Sequence, residues 1–328
     1  MGACAAKDIG KHGPGASSPS HSNCSTRENS IDTAKSGVSF AIDESPMSYT
    51  MEDYGPDAIV NIEESYDFDY TLEKQGSFGV VRKGSRRLTG SPRAIKSFSK
   101  ERTLGSQAHA EVAIMKSLDH INIVKLHEAY IEEDTYYLAM DFCWGGELFD
   151  RIVETGTFEE SDATSVMRQI LDPVAYMHQK RIVHRDLKPE NIMFSTPEPV
   201  GTSILKIIDF GSACTCAEHQ FLTERVGTSA YMAPEVYRRR YNTSCDVWSC
   251  GVILFMMLTG QWPFRGRCAA EIERRLFQDP LIFPNRYWKS KSEEAKDFAR
   301  SLLTKQAKTR TSARKALSLP WLVSSNAD

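Results

Sequence analysis

The sequence predicts an α+β protein of two lobes, with a small β-rich N-terminal lobe that contains one main helix and a larger α-helical C-terminal lobe. Short β-branched and aromatic runs are concentrated in residues 66–142, whereas helical patterns dominate residues 143–322. An apolar share of 41% in 328 residues is enough for a sizeable core. We expect a ligand cleft between the lobes, since junctions of this kind are preferred binding sites.

The predicted N-terminal lobe consists of short strands and one helix. A Gly/Ser/Pro turn at residues 89–92 separates two β-rich runs, and residues 107–118 carry apolar side chains at helical spacing. Structure is expected to begin near Tyr66, which leaves few residues before Gly76, so the first strand is predicted to be short. The other predicted strands are 80–84, 93–98, 123–130 and 135–142.

The predicted C-terminal lobe is mainly helical. Residues 161–178 form an amphipathic pattern, whereas residues 247–258 are apolar on all sides and predict a buried central helix. Ser292 is a candidate N-cap, because Glu293 and Glu294 follow in the first turn and an apolar helical face comes after them.

Residues 1–65 are predicted to form a disordered tail, because they are rich in Ser, Gly, Pro and Asn and show no sustained hydrophobic period. Gly2 permits N-myristoylation and Cys4 permits palmitoylation, which together would form a membrane anchor. The usual motif has Ser or Thr where this chain has Ala6, so an ordinary start with a small second residue is the alternative. Residues 323–328 are predicted to be a short C-terminal tail.

Composition excludes several classes of function. The net charge of −3 implies no bulk attraction to nucleic acid. Residues 1–30 lack the apolar core of a signal peptide, and the longest apolar run is too short to span a bilayer. The eight scattered cysteines suit free thiols in a reducing cytosol. Cys214, Cys216 and His219 are too few for a structural zinc site, so redox sensitivity is favoured there. We expect a cytoplasmic monomer.

Several motifs with fixed spacing follow one another along the chain. Residues 184–191 read HRDLKPEN, and the Asp-Phe-Gly at residues 209–211 begins eighteen residues later. Residues 227–235 read GTSAYMAPE. Further upstream, GSFG at residues 76–79 is followed by Lys96 in Ala-Ile-Lys. Unrelated polar turns would not match an eight-residue run and a second motif at this spacing. The set resembles the eukaryotic protein kinases.

This resemblance covers residues 66–322 and implies the bilobal protein-kinase fold, with residues 66–142 as the N-lobe and residues 143–322 as the C-lobe. It implies that the protein uses ATP and Mg²⁺ to phosphorylate protein substrates. The GT-x-x-Y-x-APE form of residues 227–235 and the lysine at position 188 are typical of serine/threonine kinases.

The resemblance also implies roles for residues 184–191, the catalytic loop. Asp186 would be the base that orients and deprotonates the attacking hydroxyl, and Lys188 would neutralise charge near the γ-phosphate. Asn191 and Asp209 would hold Mg²⁺. Asp246 would brace the backbone of the loop.

For the nucleotide, the resemblance implies that Lys96 contacts the α- and β-phosphates and that Glu111 holds Lys96 in place. Lys74 stands where the first glycine of G-x-G-x-x-G is expected. A pseudokinase or scaffold that binds ATP weakly is therefore the alternative function. The other predicted ATP-binding residues are Gly76, Ser77, Phe78, Gly79, Val81, Ala94, Met140, Asp141, Cys143 and Glu147.

Substrate preference is predicted from two acidic residues. Glu147 and Glu190 match positions that receive an arginine in kinases with basic substrates, so we expect protein substrates with Arg three residues before the target. The alternative is that both are ordinary surface charges.

The activation segment, residues 209–235, is predicted to be in its active state without phosphorylation. Many kinases need a phosphate there that pairs with the arginine of the catalytic loop, here Arg185. Glu224 lies four residues before Thr228, at the usual place of that phosphate, and offers a fixed negative charge. An exposed loop charge at Glu224, with Thr223 as the phosphosite, is the alternative.

Residues 118–124, 145–152 and 292–298 resemble the calcium/calmodulin-regulated kinases, and in particular the plant and protozoan calcium-dependent protein kinases. Those kinases carry EF-hands after the kinase domain. No D-x-D-x-D-G loop with a closing glutamate occurs in this sequence, so we expect no calcium binding by this chain itself.

Overall fold

The computed structural model describes residues 61–75, 79–99, 105–132 and 135–324. The predicted α+β class is confirmed, since a five-stranded antiparallel sheet with one main helix precedes a helical lobe. The strand order in the sheet is β1-β2-β3-β5-β4. The N-lobe elements are α1 (Ile62–Ser65), β1 (Tyr66–Gln75), β2 (Val80–Arg86), β3 (Pro92–Ser99), α2 (Gly105–Ser117), β4 (Leu126–Glu132) and β5 (Thr135–Asp141).

The first strand is complete, so the prediction of a short strand is wrong. β1 is ten residues long and pairs with β2 as far as Gln75 opposite Val80. The pairing register of β1 with β2 shifts between Asp69 and Glu73. A shift of this kind lets β1 contain extra residues that have no direct partner on β2. Lys74 therefore lies within β1.

Both predicted tail boundaries are displaced. Asn61 caps α1 through its side chain, and Ile62 is buried in the same apolar cluster as Tyr66 of β1. The folded part therefore begins before the predicted boundary. At the other end α11 (Pro320–Ser324) continues beyond the predicted end of the domain. The predicted acylation sites, Gly2 and Cys4, lie outside the described residues.

The C-lobe is built around one buried helix. Its helices are α3 (Leu148–Thr155), α4 (Glu160–Gln179), α5 (Pro234–Tyr237), α6 (Ser244–Thr259), α7 (Ala269–Gln278), α8 (Asn285–Trp288), α9 (Glu293–Leu302), α10 (Ala313–Ala316) and α11. Every residue from Cys245 to Thr259 is buried, as expected for a pattern that is apolar on all sides. α6 packs against α4 and α9. Ser292 caps α9 by accepting a hydrogen bond from the N–H of Ala295 at 3.1 Å.

Two small sheets position the motif-bearing loops. They pair β6 (Ile182–Val183) with β9 (Cys214–Thr215) and β7 (Ile192–Phe194) with β8 (Leu205–Ile207). In the second sheet Ile192 lies opposite Ile207, and the N–H of Ile208 donates to the carbonyl of Asn191 at 3.0 Å. The catalytic loop therefore lies beside the segment that leads into Asp209. Across the described ranges, no helix is long and apolar enough to cross a membrane.

Candidate active site

A cleft of about 590 Å³ lies between the two lobes. Val81 and Ala94 line it from the N-lobe sheet, and Met193 and Ile208 line it from the C-lobe. Apolar side chains from both lobes can enclose a flat ring, and the volume is within the range of small-molecule sites. Sequence reasoning missed Met193 and Ile208, although each lies within two residues of a recognised motif.

The connection between the lobes forms another wall of the cleft, which is lined by Met140, Asp141 and Cys143. The Asp141 carboxylate contacts His127 at 2.7 Å and Lys206 at 3.0 Å. Burial alone would raise the pKa of Asp141, but the hydrogen bonds from His127 and Lys206 hold that pKa well below its ordinary value. The Asp141 side chain therefore joins β4, β5 and β8. Burial raises the pKa of the Cys143 thiol to about 11.

The glycine loop is described only at its end. Gly76, Ser77 and Phe78 lie outside the described residues, whereas Gly79 lines the cleft. A Cβ atom at Gly79 would lie 2.1 Å from the carbonyl oxygen of Ser97. Only glycine therefore allows the chain to pass this close to β3.

Lys96 joins the two lobes through two carboxylates. Its Nζ donates to Glu111 Oε1 at 2.7 Å and to Asp209 Oδ1 at 3.0 Å. Burial alone would lower the pKa of Lys96, but the charges of Glu111 and Asp209 raise it above its ordinary value. Burial would raise the pKa of Asp209, and the Lys96 ammonium lowers it instead. The lysine and the aspartate are therefore both held in their charged forms.

Asp186 is held through both carboxylate oxygens. Thr228 donates to Oδ1 from its backbone N–H and from its hydroxyl, each at 2.8 Å. Lys188 Nζ donates to Oδ2 at 2.9 Å and to the Thr228 hydroxyl at 3.0 Å. Asn191 Nδ2 donates to the backbone carbonyl of Asp186 at 2.9 Å. The predicted catalytic-loop residues are thus brought together with Thr228 of the activation segment.

The buried carboxylate of Asp246 holds the backbone of the catalytic loop. It accepts hydrogen bonds from the N–H of His184 at 3.0 Å and of Arg185 at 2.9 Å, and it contacts His178 Nε2 at 2.9 Å. Burial would raise the pKa of Asp246, but the hydrogen bond from His178 helps to lower it. Arg185 has a φ of 69°, a left-handed conformation that costs a non-glycine residue about 1–2 kcal/mol. The contacts of Asp246 stabilise that conformation.

Arg185 also connects the catalytic loop to the activation segment. Its Nε donates to the carbonyl of Ser212 at 2.5 Å, and its guanidinium donates to Glu224 Oε2 at 3.0 Å. The side chain of Glu224 is 72% exposed, and Thr223 beside it is exposed as well. Gly227 has a φ of 111°, and a Cβ there would lie 2.4 Å from the carbonyl oxygen of Arg185. Glycine is therefore required where the segment passes the catalytic loop.

The end of the activation segment is fixed to the helical core. Glu235 forms a bidentate pair with Arg310, at 2.5 and 3.0 Å. Arg310 also donates to the carbonyls of Ser244 at 2.7 Å and Thr304 at 2.9 Å. The side chains of Arg310 and Glu235 are 0% and 8% exposed.

The two predicted substrate carboxylates both line the cleft. Glu147 immediately precedes α3, is buried, and forms an ion pair with Lys74. Glu190 is partly buried beside Tyr231, whose pKa is raised by burial and by the neighbouring Glu190 carboxylate. Neither glutamate is an ordinary surface charge.

Cys214 lies on β9, Cys216 directly follows this strand, and the side chain of His219 is almost fully exposed. In the ranges that the structure describes, no group of three or more His, Cys, Asp and Glu residues could hold a metal ion. Burial raises the pKa of Cys214 to about 11 and also raises that of Cys216. A low thiolate fraction disfavours the redox sensitivity expected here.

Fold and site together define the class of protein. A family model described as the protein kinase domain matches residues 74–322. The chain belongs to the protein kinase family, and its domain is of the serine/threonine type.

The predicted resemblance to calcium-dependent protein kinases is confirmed by curated relatives. The chain is 37% identical to calcium-dependent protein kinase 5 of Plasmodium berghei (strain Anka) over 264 residues, which cover 80% of the chain and 47% of the relative. The corresponding protein of Plasmodium falciparum (isolate 3D7) is 38% identical over 261 residues, or 79% and 46% of the two chains. Calcium-dependent protein kinase 4 of Plasmodium falciparum (isolate 3D7) is 37% identical over 300 residues, or 90% and 56%. The chain spans about half the length of the curated relatives it matches.

Proposed function

We propose that this protein transfers the γ-phosphate of Mg-ATP to serine or threonine hydroxyls of protein substrates. The observation that supports the proposal best is the pair of contacts that joins Lys96 to Glu111 and to Asp209 across the cleft. A pseudokinase or scaffold is not favoured, because this set is intact and the first strand is complete.

Asp186 would orient the attacking hydroxyl and accept its proton. The hydrogen bond that the Thr228 hydroxyl donates to Asp186 Oδ1 at 2.8 Å supports this role. Lys188, at 2.9 Å from Oδ2, would place a positive charge next to the transferred phosphoryl group.

Asp209 and Asn191 would hold Mg²⁺, which would neutralise charge on the phosphates. Carboxylate and amide oxygens are the hard ligands that this ion prefers. The pairing of β7 with β8 brings their two segments side by side. The Asn191 side chain contacts Asp186 through Nδ2. Among the described residues its amide oxygen accepts no hydrogen bond, so this oxygen can face a metal ion. Lys96, held by Glu111, would contact the α- and β-phosphates.

We further propose that the substrates carry an arginine three residues before the target. Glu147 and Glu190 support this, because both carboxylates line a cleft that also contains Lys188, whose ammonium lies 2.9 Å from Asp186 Oδ2, and such carboxylates favour a cationic peptide.

The test uses purified protein, Mg-ATP and a Ser-containing basic peptide. Asp186→Asn should lower kcat by about 10²–10⁴ and leave nucleotide affinity unchanged, because the base is lost but the contacts to phosphate are not. Asp209→Ala should abolish Mg²⁺-dependent nucleotide binding and phosphoryl transfer together. Asp297→Asn, which changes a carboxylate that is 73% exposed on α9, is the matched control and should behave as wild type. Undiminished transfer by both cleft variants would refute the assignment.

A further inference from the structure

Lys74 makes an ion pair across the mouth of the cleft. It belongs to β1 in the N-lobe, and its ammonium contacts Glu147 Oε1 in the C-lobe. The side chain of Lys74 is 71% exposed, whereas that of Glu147 is 11% exposed. The contact therefore places an exposed cation on a nearly buried carboxylate.

Glu147 needs a cationic partner from outside its own helix. It occupies the N-cap position of α3, yet its side chain makes no capping hydrogen bond, so its carboxylate is not satisfied by the helix N–H groups. The backbone of Glu147 is fixed by a bridge to Met193. A carboxylate that is almost removed from water is costly unless it is paired. In the described part of the chain, the ion pair recorded for Glu147 is the one with Lys74.

The neighbouring charges on the same strands are engaged elsewhere. Glu73, the nearest carboxylate along β1, is paired with Arg82 at 2.8 Å. Lys83 of β2 lies over the rings of Phe142 and Trp144, at 5.7 and 4.8 Å from their centroids. This arrangement leaves Glu147 as the carboxylate that Lys74 contacts.

We propose that Lys74 is a specificity-determining residue that occupies Glu147 in the free enzyme and competes with the basic residue of the substrate. The inference rests on the proposed function, in which Glu147 receives a substrate arginine. A guanidinium can bind a carboxylate through two parallel hydrogen bonds, whereas an ammonium acts as a point charge, so the arginine displaces Lys74.

Competition of this kind reduces the difference in affinity between basic and neutral peptides. A neutral peptide leaves the Lys74–Glu147 pair intact, whereas a basic peptide must break it first. Because the Lys74 partner is solvent-exposed, we take the magnitude of exposed ion pairs, which change an equilibrium by up to about fivefold. Removal of the Lys74 charge should therefore strengthen the binding of basic peptides alone.

The experiment measures the Kd of two labelled peptides by fluorescence anisotropy, with the full chain, Mg²⁺ and ADP. Both peptides carry Ala at the target position, and they differ only in having Arg or Gln three residues before it. The variants are Lys74→Met, Lys74→Arg, Glu147→Gln and the double variant Lys74→Met/Glu147→Gln. Arg87→Met is the matched control, because it removes an N-lobe cation that pairs with Asp67 at 2.8 Å.

Lys74→Met is expected to lower the Kd of the Arg peptide by about two- to fivefold and to leave that of the Gln peptide unchanged. Arg87→Met should match wild type, whereas Lys74→Arg should keep or raise the Kd of the Arg peptide, because a guanidinium at position 74 competes for Glu147 at least as well as an ammonium. In the Glu147→Gln background, Lys74→Met should have no effect. The inference is overturned if Lys74→Met leaves the Arg-to-Gln preference unchanged, shifts both peptides equally, or acts equally without Glu147.

A separate assay keeps the proposed function distinguishable from this inference. The same peptides with Ser at the target position are incubated with wild-type protein and Mg-ATP. Absence of phosphoryl transfer would refute the kinase proposal, while the peptide affinities would still decide the role of Lys74. Absence of Arg-peptide binding in every variant would overturn the inference about Lys74.

Discussion

Replacement of Arg310 by Met should destabilise the kinase domain strongly. The substitution removes the bidentate partner of Glu235 and two hydrogen bonds to backbone carbonyls. It also removes a guanidinium that lies 5.1 Å from the ring centroid of the buried Trp248. Among the described residues, the hydroxyl of Ser244, at 3.3 Å, would then be the remaining donor to the Glu235 carboxylate.

The magnitude follows from burial. Removal of one partner of a buried ion pair costs about 3–5 kcal/mol, since the other charge is left uncompensated. In a domain of this size each kcal/mol lowers Tm by about 2–4 °C, so Arg310→Met should lower Tm by about 6–20 °C. The side chains of the exposed pair Arg87–Asp67 are 54% and 63% exposed, and Arg87→Met should therefore cost at most about 1 kcal/mol.

Urea unfolding followed by circular dichroism would measure both variants and the double variant Glu235→Gln/Arg310→Met. The double variant should recover part of the loss, because it no longer buries an unpaired carboxylate. If Arg310→Met cost no more than Arg87→Met, the reasoning from burial would be refuted.

Two further predictions concern the activation segment and the link between the lobes. Protein made without phosphorylation should already be active. Glu224→Ala should lower its kcat severalfold, because Arg185 loses its anionic partner. If the dephosphorylated protein were inert and phosphorylation of Thr223 restored its activity, Glu224 would not be the switch. The lowered pKa of Asp141 means that its stabilisation is present above pH 3.8 and is lost as the pH falls through that lowered pKa. Asp141→Asn should therefore flatten the acid limb of a plot of urea midpoint against pH, and an unchanged limb would contradict this.

Local sequence patterns predicted those features that depend on neighbouring residues. The buried helix α6 follows from a run that is apolar on all sides, and the cap at Ser292 follows from the first turn of α9. Lys96 and Glu111 were matched through a family resemblance, and the structure has Lys96 Nζ of β3 2.7 Å from Glu111 Oε1 of α2.

Features that depend on tertiary contacts could not be read in this way. The register shift in β1 between Asp69 and Glu73 is a property of its pairing with β2, so the strand was predicted to be too short. Lys74 was compared with a glycine because of its position in a motif. Its partner, Glu147, comes from the other lobe and has no local signal in the sequence.

The attachment of the catalytic loop to α6 has a mechanical consequence. The partners of Asp246 are all groups of the C-lobe, and α6 is buried along its length. Rotation of the N-lobe about the connection near Cys143 would therefore separate Lys96 from Asp209, while Asp186 would keep its position relative to Asn191. In the proposed function, such opening would loosen the contacts to the nucleotide phosphates without displacing Asp186 as the proton acceptor, so the rate of nucleotide exchange and the geometry of the chemical step would vary independently.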